Sequence, residues 1–283
     1  MTDVNHMIVN RRDVLLMCAS LGTAVFPPLA DSQVTLPDGA LRSYMRMRGL
    51  GTLPVAIGCL EGIYNGVVDG VVTPAVGVIS ATFADYKEVE SGFEIRSSEL
   101  AYFTDLDSGA VLDSWHNPYT NEVVPVSASE LAPTTTRIGA SLLIDSEAAL
   151  PPGLQLRHSV AAPQILGREV WFTETVMVRR EARVSEPAFH YNESTVLRAR
   201  LTDLSQSNAL PVRCDTSYQS VSSWRTWMKM ATHPGGVVGF GNGFYGTSID
   251  ELPPAWIKAT ERYRPEILRD PAKMLQTKSP QVR

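Results

Sequence analysis

The most unusual position in the chain is a carboxylate on the apolar face of a predicted strand. Val170, Phe172, Glu174, Val176 and Val178 alternate with more polar residues, which is the period of a strand with one buried face. If that face lies inside the protein, burial would raise the pKa of the Glu174 carboxyl group. A carboxyl group that titrates near neutral pH can act as a general acid or base.

Two structural roles for Glu174 are the alternatives to catalysis. The carboxylate could pair with an arginine such as Arg46 or Arg198, since buried charges are usually paired. The strand could also end in water at this position. The sequence leaves these roles open.

His190 and Tyr191 form a second candidate for proton transfer. They follow Pro187 and precede a strand predicted from Thr195, so the sequence places them in a loop at the rim of a sheet. Histidine titrates near neutral pH, and a neighbouring tyrosine could share its proton. A solvated loop histidine is the alternative. The predicted catalytic residues are therefore Glu174, His190 and Tyr191.

Aromatic and histidine side chains supply candidate ligand contacts. Aromatic rings line ligand cavities, and a tyrosine hydroxyl group can orient a carbonyl or phenol group. Packing in the core is the alternative for each ring, and His116 could lie in solvent or in a pocket. The predicted substrate contacts are Tyr102, His116, Tyr218, Trp224 and Trp227.

Two basic residues accompany the tryptophans. Arg225 and Lys229 share a predicted strand face with Trp227, within a strand predicted from Trp224 to Met230. They could bind an acidic group, but the pattern favours a solvent-facing position.

Common metal and cofactor motifs are missing from the sequence. The five histidines show no HxH or HExxH spacing, and the chain has neither a GxSxG elbow nor a Walker loop. The glycine-rich run at 239–244 superficially resembles a nucleotide loop, but it lacks the following helix and Lys-Ser/Thr pair. We interpret it as a hairpin turn, and we expect neither a metal nor a cofactor.

The elements that must position these residues are mostly short strands. The segment Tyr102–Asn121 predicts strand, turn, strand and turn, because Asp107-Ser108-Gly109 and Asn117-Pro118 supply turn residues. Asn117 is expected to bond to the backbone at the second turn. Leu41–Arg48 alternates cleanly and also predicts a strand.

Further strand-like runs recur along the chain with turn residues between them, and helix signals are confined mainly to Leu252–Tyr263 and a short turn after Pro265. Consecutive hairpins without alternating helices predict an all-β fold, an antiparallel lipocalin-like β-barrel with a short C-terminal helix. A sandwich is the alternative. A single barrel domain would span residues 31–283, and such a barrel can hold one small ligand.

Two blocks of the sequence resemble the DUF1838 family, a bacterial and fungal group without an assigned function. The first is Tyr102–Asn121, with its Thr-Asp, Ser-Gly, Val-Leu, Trp-x-Asn-Pro-Tyr-Thr pattern. The second runs from Arg198–Leu204 to Ser217–Met230 and a His-Pro-Gly sequence. Leu41–Gly49 resembles the first conserved strand of the family. The resemblance extends from about Leu41 to about Pro271.

The chain departs from that family at two places. Relatives often carry an aromatic cluster where this chain has Val55–Leu60, and a Trp-His pair where it has Val238–Gly243. If those positions line a pocket, the substrate would differ from that of other members.

Charge and hydropathy narrow the class of partner. The net charge is -5 and no basic stripe is present, which argues against nucleic acid as the main partner. No apolar run approaches the roughly 20 residues needed to cross a bilayer. Cys59 and Cys214 are expected as buried thiols, with a disulfide as the alternative.

The N-terminus predicts export. Asn10–Leu16 resembles a twin-arginine motif, and a weakly apolar run from Leu15 to Phe26 follows it. We expect residues 1–30 to be a signal segment and the protein to be periplasmic. A non-exported, cytoplasmic protein is the alternative.

Two functional hypotheses follow from these observations. The first is a cofactor-independent lyase or isomerase that transfers protons on a hydrophobic aromatic or polycyclic molecule in the barrel, as in aromatic compound catabolism. The second is a non-catalytic carrier for such a molecule. An ionisable Glu174 in the cavity would favour the enzyme. A homodimer is compatible with either.

Overall fold

The computed structural model describes residues 36–51, 54–146, 150, 153–182, 188–206, 211–230, 232–246 and 248–276. The predicted export signal at residues 1–30 lies outside these ranges. The described residues all belong to one compact unit that begins at Leu36. Within them, no helix has the length and apolar character needed to cross a membrane.

The strands are β1 (Ala56–Val68), β2 (Val71–Val89), β3 (Gly92–Thr104), β4 (Ser114–His116), β5 (Val123–Pro125), β6 (Ser129–Gly139), β7 (Ile144–Ser146), β8 (Leu154–Val160), β9 (Gln164–Leu166), β10 (Glu169–Arg180), β11 (Phe189–Arg200), β12 (Cys214–Ser222) and β13 (Gly236–Gly246). The α-helices are α1 (Gly39–Met47), α2 (Leu201–Leu204), α3 (Pro254–Tyr263), α4 (Pro265–Arg269) and α5 (Lys273–Gln276). Two 3₁₀ turns span Thr226–Met228 and Ile249–Glu251.

Ten strands form a nearly closed antiparallel barrel. Their order is β7-β6-β3-β2-β1-β13-β12-β11-β10-β8, and β9 adds to β10. The two ends of this order meet at a β-bridge between Leu143 and Ser159. Strands β4 and β5 form a separate hairpin. The predicted all-β antiparallel barrel is therefore confirmed.

Helix α1 packs into one end of the barrel, which we call the plug end. Its Tyr44, Met45 and Met47 are fully buried against interior residues of several strands. The prediction of a strand at Leu41–Arg48 was wrong. Arg46 of this helix is also buried, and it donates to the Asp38 carboxylate at 2.8 Å. The buried positions of the helix are therefore not all apolar.

The β4–β5 hairpin covers part of the opposite end, which we call the mouth end. Asn117 is fully buried and its side-chain oxygen accepts from the backbone N–H groups of Tyr119 (2.9 Å) and Thr120 (3.3 Å), as predicted. Its amide nitrogen donates to the Met228 carbonyl at 2.8 Å. That contact holds a 3₁₀ turn where the sequence predicted a strand from Trp224 to Met230, so that prediction was wrong.

The C-terminal helices form a layer outside the barrel. Helix α3 begins at Pro254, where a proline has no N–H bond to lose, and this confirms the predicted C-terminal helix. Trp256 is fully buried and donates its indole N–H to the Leu100 carbonyl at 3.0 Å. Tyr102 also faces this layer, with its hydroxyl group 3.0 Å from that of Thr260.

The two described cysteines are buried and free, as expected. Cys214 packs with the interior cluster at the plug end, whereas Cys59 packs with the outer cluster beneath the C-terminal helices. Burial raises the pKa of each thiol to about 12.

The glycine-rich run 239–244 lies in the middle of strand β13, so the prediction of a hairpin turn was wrong. Gly243 pairs with Leu60 of β1 and comes very close to the neighbouring backbone. A Cβ atom at Gly243 would lie 1.9 Å from the Cys59 carbonyl oxygen, which only glycine avoids.

The Gly243→Ala variant is expected to lower the free energy of unfolding by about 1–3 kcal/mol, because a paired backbone cannot move aside cheaply. Urea unfolding would measure the loss. Gly139→Ala is the matched control, since its nearest neighbour would be the Ser91 carbonyl oxygen at 3.0 Å. Equal losses in the two variants would contradict the close approach at Gly243.

Candidate active site in the barrel interior

The strand register directs several polar side chains into the barrel. Glu193 on β11 shares its face with the buried Leu197, and Tyr218 on β12 lies opposite Thr195 of that face. Glu99 projects from β3, which is five places from β11 in the ten-strand order. Glu99 and Glu193 therefore approach each other from opposite walls of the barrel.

Glu174 lies in a hydrogen-bonded network at the plug end of this interior. Its Oε2 accepts from the Tyr44 hydroxyl group at 2.7 Å and from Arg48 Nη1 at 2.5 Å. Its Oε1 lies 2.6 Å from His158 Nε2. Arg48 also lies over the ring of Tyr245, with its guanidinium carbon 5.3 Å from the ring centroid.

The electrostatics of this network fix Glu174 as a carboxylate. Burial acts to raise its pKa, but Arg48, His158 and Tyr44 together hold the pKa well below its usual range. The expectation of a raised pKa at Glu174 was therefore wrong, although its position on an interior strand face was right. Its partner is Arg48 rather than Arg46 or Arg198. The network favours a structural role that also orients His158.

A chain of hydrogen bonds surrounds the second interior carboxyl group. The Tyr191 hydroxyl group donates to Glu193 Oε2 and lies 3.2 Å from the Tyr218 hydroxyl group, while Thr195 donates to Glu193 Oε1 at 3.1 Å. Burial raises the pKa of Glu193 despite these donors, and the charge of Glu174 adds to the increase. Burial likewise raises the pKa values of Tyr191 and Tyr218. All three groups therefore hold protons more tightly than they would in water.

Glu99 is the group best suited to exchange a proton at neutral pH. Burial raises its pKa to about 7, and the negative charge of Glu193 contributes in the same direction. A hydrogen bond from Ser80 and the positive charge of Arg225 oppose the increase without cancelling it. A carboxyl group with a pKa near the working pH can both accept and donate a proton in one cycle.

Arg225 enters the interior from the segment after β12 and lies between two tyrosines. Its guanidinium carbon is 5.0 Å from the ring centroid of Tyr64 and 5.1 Å from that of Tyr191, and its Nη2 donates to the Tyr64 hydroxyl group at 3.1 Å. The residue is half-buried. The prediction that Arg225 faces solvent was therefore wrong, whereas Lys229 is exposed as expected.

The interior is less completely buried toward the mouth end than at the plug end. On β10, Val170 and Phe172 at the plug end are fully buried. Val176 and Val178, which lie further along the same face, are only half-buried, as is Tyr191 beside them. Glu99 and Glu193 also keep part of their surface exposed. The polar side chains therefore border accessible space inside the barrel.

The sequence-predicted site residues divide between the interior and the outside. Tyr191 and Tyr218 contact each other in the interior, close to the Glu174 network. His190 lies on strand β11 rather than in a loop, and it is exposed, with its Nδ1 3.0 Å from the Ser223 hydroxyl group. His116 is exposed as well. Tyr102 faces the C-terminal helices, so the structure does not bring these three to the site.

The two predicted tryptophans lie at the mouth end. Trp227 packs on the interior Phe103, with ring centroids 4.8 Å apart, and on Trp115 at 5.6 Å. Trp224 packs on Tyr119 at 5.2 Å and donates to the His233 carbonyl at 3.1 Å. Trp227 therefore borders the interior, and Trp224 supports the cover above it.

Sequence reasoning missed Glu99, His158 and Glu193, and it favoured a solvent-facing position for Arg225. The alternation of polar and apolar residues that revealed Glu174 on β10 also places Glu193 on the same face of β11 as Leu197. Glu193 was not recognised because the sequence analysis placed a loop at His190. Within the described residues, no group of three or more histidine, cysteine, aspartate or glutamate side chains is placed to hold a metal ion.

A family model described as a protein of unknown function (DUF1838) matches residues 72–280. The chain belongs to the DUF1838 family. The match covers Glu99, His158, Glu174 and Glu193, so the DUF1838 region supplies the interior carboxyl groups. Arg48 and the rest of Leu41–Gly49 precede the matched region in sequence. No curated protein and no solved structure matches the chain at a significant level.

Proposed function

We propose that this DUF1838 protein is a cofactor-independent lyase or isomerase that transfers protons on a hydrophobic aromatic or polycyclic molecule inside the barrel. The observation that carries the proposal is the pair of opposed interior carboxyl groups, Glu99 and Glu193, which border accessible space. A protein gains no stability from such a pair, because burial disfavours their charges. Retaining them is typical of sites that exchange protons.

The arrangement assigns a distinct role to each group. Glu99 accepts a proton from a carbon or hydroxyl group of the substrate, and the same proton returns to another substrate atom or to the leaving group. Tyr218 donates a hydrogen bond to a substrate oxygen on which negative charge develops, since the Tyr191 hydroxyl group already donates to Glu193. Glu193 holds the Tyr191 hydroxyl group in place. Atoms and electrons balance without a further reactant, as isomerisation and elimination require.

The walls of the interior suit an aromatic or polycyclic substrate. Phe103, Trp227 and Tyr64 present rings toward this space, with the ring centroids of Tyr64 and Phe103 6.0 Å apart. Rings of this kind pack against flat apolar ligands. A carrier would need these walls but not the opposed carboxyl groups, which favours the enzyme over the carrier.

The proposal can be tested with metabolite that co-purifies with the full chain from its own host. Native mass spectrometry would identify the bound compound, which would then be incubated with the protein in D₂O. We expect a product, or deuterium incorporation into the compound. The Glu99→Gln variant should be slower by about 10²- to 10⁴-fold, the usual range for general acid–base groups.

Glu94→Gln is the matched control for that experiment. Glu94 lies on the same strand between the buried Phe93 and Ile95, so it faces away from the interior, and it pairs with Arg137 at 3.3 Å. It should leave the rate unchanged. A bound compound that is returned unaltered and without deuterium would identify a carrier and overturn the proposal.

A further inference from the structure

We infer that the substrate is an aromatic carboxylate and that Arg225 binds its carboxylate group at the mouth end of the interior. The inference rests on the proposed function, since it names the substrate class of the same site. It is carried by a half-buried guanidinium group without a carboxylate partner and by a second unused donor in the same aromatic group.

Arg225 forms no ion pair in the described part of the chain. No carboxylate there lies within 4.0 Å of its guanidinium nitrogens, and its Nη2 donates a hydrogen bond to the Tyr64 hydroxyl group. Its Nε is buried and makes no hydrogen bond to any described residue. A positive charge removed from water without a partner is costly, so this arrangement calls for an anion.

Two other buried arginines in this fold have structural roles, and each is paired with a carboxylate. Arg46 is fully buried and lies 2.8 Å from the Asp38 carboxylate. Arg48 is buried and lies 2.5 Å from the Glu174 carboxylate. Arg225 differs from both because no described carboxylate lies within 4.0 Å of its guanidinium nitrogens, and Glu99 interacts with it only at longer range. An Nε without a described hydrogen bond is shared with Arg48, so the missing carboxylate is the feature that distinguishes Arg225.

A second donor lies within the same aromatic group. The indole Nε1 of Trp227 is buried and has no hydrogen-bond partner among the described residues. Trp227 and Arg225 belong to one aromatic group, because Trp227 packs on Phe103, Phe103 packs on Tyr64 and Arg225 lies over the Tyr64 ring. In this proposal the two oxygens of the substrate carboxylate accept from the unused donors of this group, and the rings enclose the apolar body.

The charge around the site favours a carboxylate over a phosphate. The planar guanidinium group matches the geometry of both anions. Glu99 and Glu193 share the interior, and their negative charge would repel a dianion more strongly than a monoanion. Arg225 supplies a single positive charge, which a carboxylate neutralises.

The inference is tested with two probes of the same shape, 2-naphthoate and 2-naphthamide. Calorimetric titration of the full chain should show 2-naphthoate binding at least 10-fold more tightly than the neutral amide. In the Arg225→Gln variant this preference should disappear, whereas Lys229→Gln, which alters an exposed charge in the same segment, should retain it. Arg225→Lys should keep part of the preference, because the charge remains.

Several outcomes would overturn the inference. Equal binding of the two probes to the unaltered chain would do so without any variant, as would a failure of 2-naphthoate to bind. Tighter binding of 2-naphthyl phosphate would assign the site to a different anion. If Arg225→Gln does not fold, Trp227→Phe provides a second variant, and it should weaken 2-naphthoate more than 2-naphthamide. None of these results depends on deuterium incorporation or on Glu99, so either proposal can fail alone.

Discussion

The Glu174→Gln variant is expected to lose about 3–5 kcal/mol of unfolding free energy, the usual cost of removing one partner from a buried ion pair. Glutamine would leave the Arg48 guanidinium group buried without its carboxylate. It would also remove the anionic acceptor that binds Tyr44 and lies against His158. Urea unfolding at neutral pH, with an unchanged dependence on denaturant, would measure the loss.

A double variant separates the ion pair from general damage to the interior. Replacing Arg48 and Glu174 together by Met and Leu removes both charges, so it should be less destabilising than Glu174→Gln alone. Glu94→Gln provides the surface control, and it should change stability by less than about 0.5 kcal/mol. An unaltered stability in Glu174→Gln would show that Arg48 is satisfied without this carboxylate.

The same network determines how stability responds to acid. The pKa of Glu174 is lower in the folded protein than in the unfolded chain, so its contribution is fully present above the unfolded value, near 4.3. That contribution is lost as pH falls below this value toward the folded pKa. Glu174 therefore resists protonation while the protein remains folded.

The barrel was predictable because strands that follow each other in sequence pair with each other, and because inward-facing and outward-facing residues alternate along them. Strand β10 shows this best, since Val170, Phe172 and Glu174 all point inward as the alternation predicted. The turn at Asn117 was predictable because its side-chain oxygen accepts from the backbone N–H groups of Tyr119 and Thr120 in its own hairpin. Local chemistry was sufficient in both places.

The plug and the cover of the barrel could not be predicted from local patterns. At Leu41–Arg48 the alternation of polar and apolar residues suggested a strand, but tertiary packing buries both kinds. At Trp224–Met230 a hydrogen bond from the distant Asn117 holds a 3₁₀ turn. In each case a partner more than 100 residues away in sequence, Leu204 for Arg46 and Asn117 for Met228, determines the conformation.

The candidate site was only partly predictable for the same reason. Glu174 was recognised because burial of a carboxylate is visible in a strand pattern, but the sign of its pKa shift depends on Arg48, which lies 126 residues away. Glu99 became a candidate only when the closed barrel placed it opposite Glu193. The pKa values of the two carboxyl groups shift in opposite directions, which suits Glu174 to a structural role and Glu99 to the proton exchange that we propose.

The second large effect is expected at Glu99, where substitution should raise the free energy of unfolding above neutral pH, whereas substitution of Glu174 should lower it. Because burial raises the pKa of Glu99 from 4.5 to about 7, the folded protein binds this proton more tightly than the unfolded chain does. The stability of the unaltered protein should therefore fall as pH rises from about 4.5 to 7 and then level off. The neighbours that set this titration are Glu193, Ser80 and Arg225.

The Glu99→Gln variant carries no charge at any pH, so it should be more stable than the unaltered protein at pH 8. The gain should be at most about 3 kcal/mol, because part of the Glu99 side chain is exposed and solvent reduces the penalty. The gain should largely vanish at pH 4.5. Urea unfolding at both pH values, with Glu94→Gln as the control, would measure it.

A substitution that stabilises the protein while abolishing turnover would identify Glu99 as a residue kept for function at the expense of stability. The pH dependence of the gain is decisive, since an amide could also pack better at every pH and so stabilise the protein without any titration of Glu99. A gain of the same size at pH 4.5 and pH 8 would show that Glu99 titrates normally. In that case Glu99 would be ionised throughout the neutral range, and His158, held by the Glu174 carboxylate, would become the stronger candidate for the proton-transferring group.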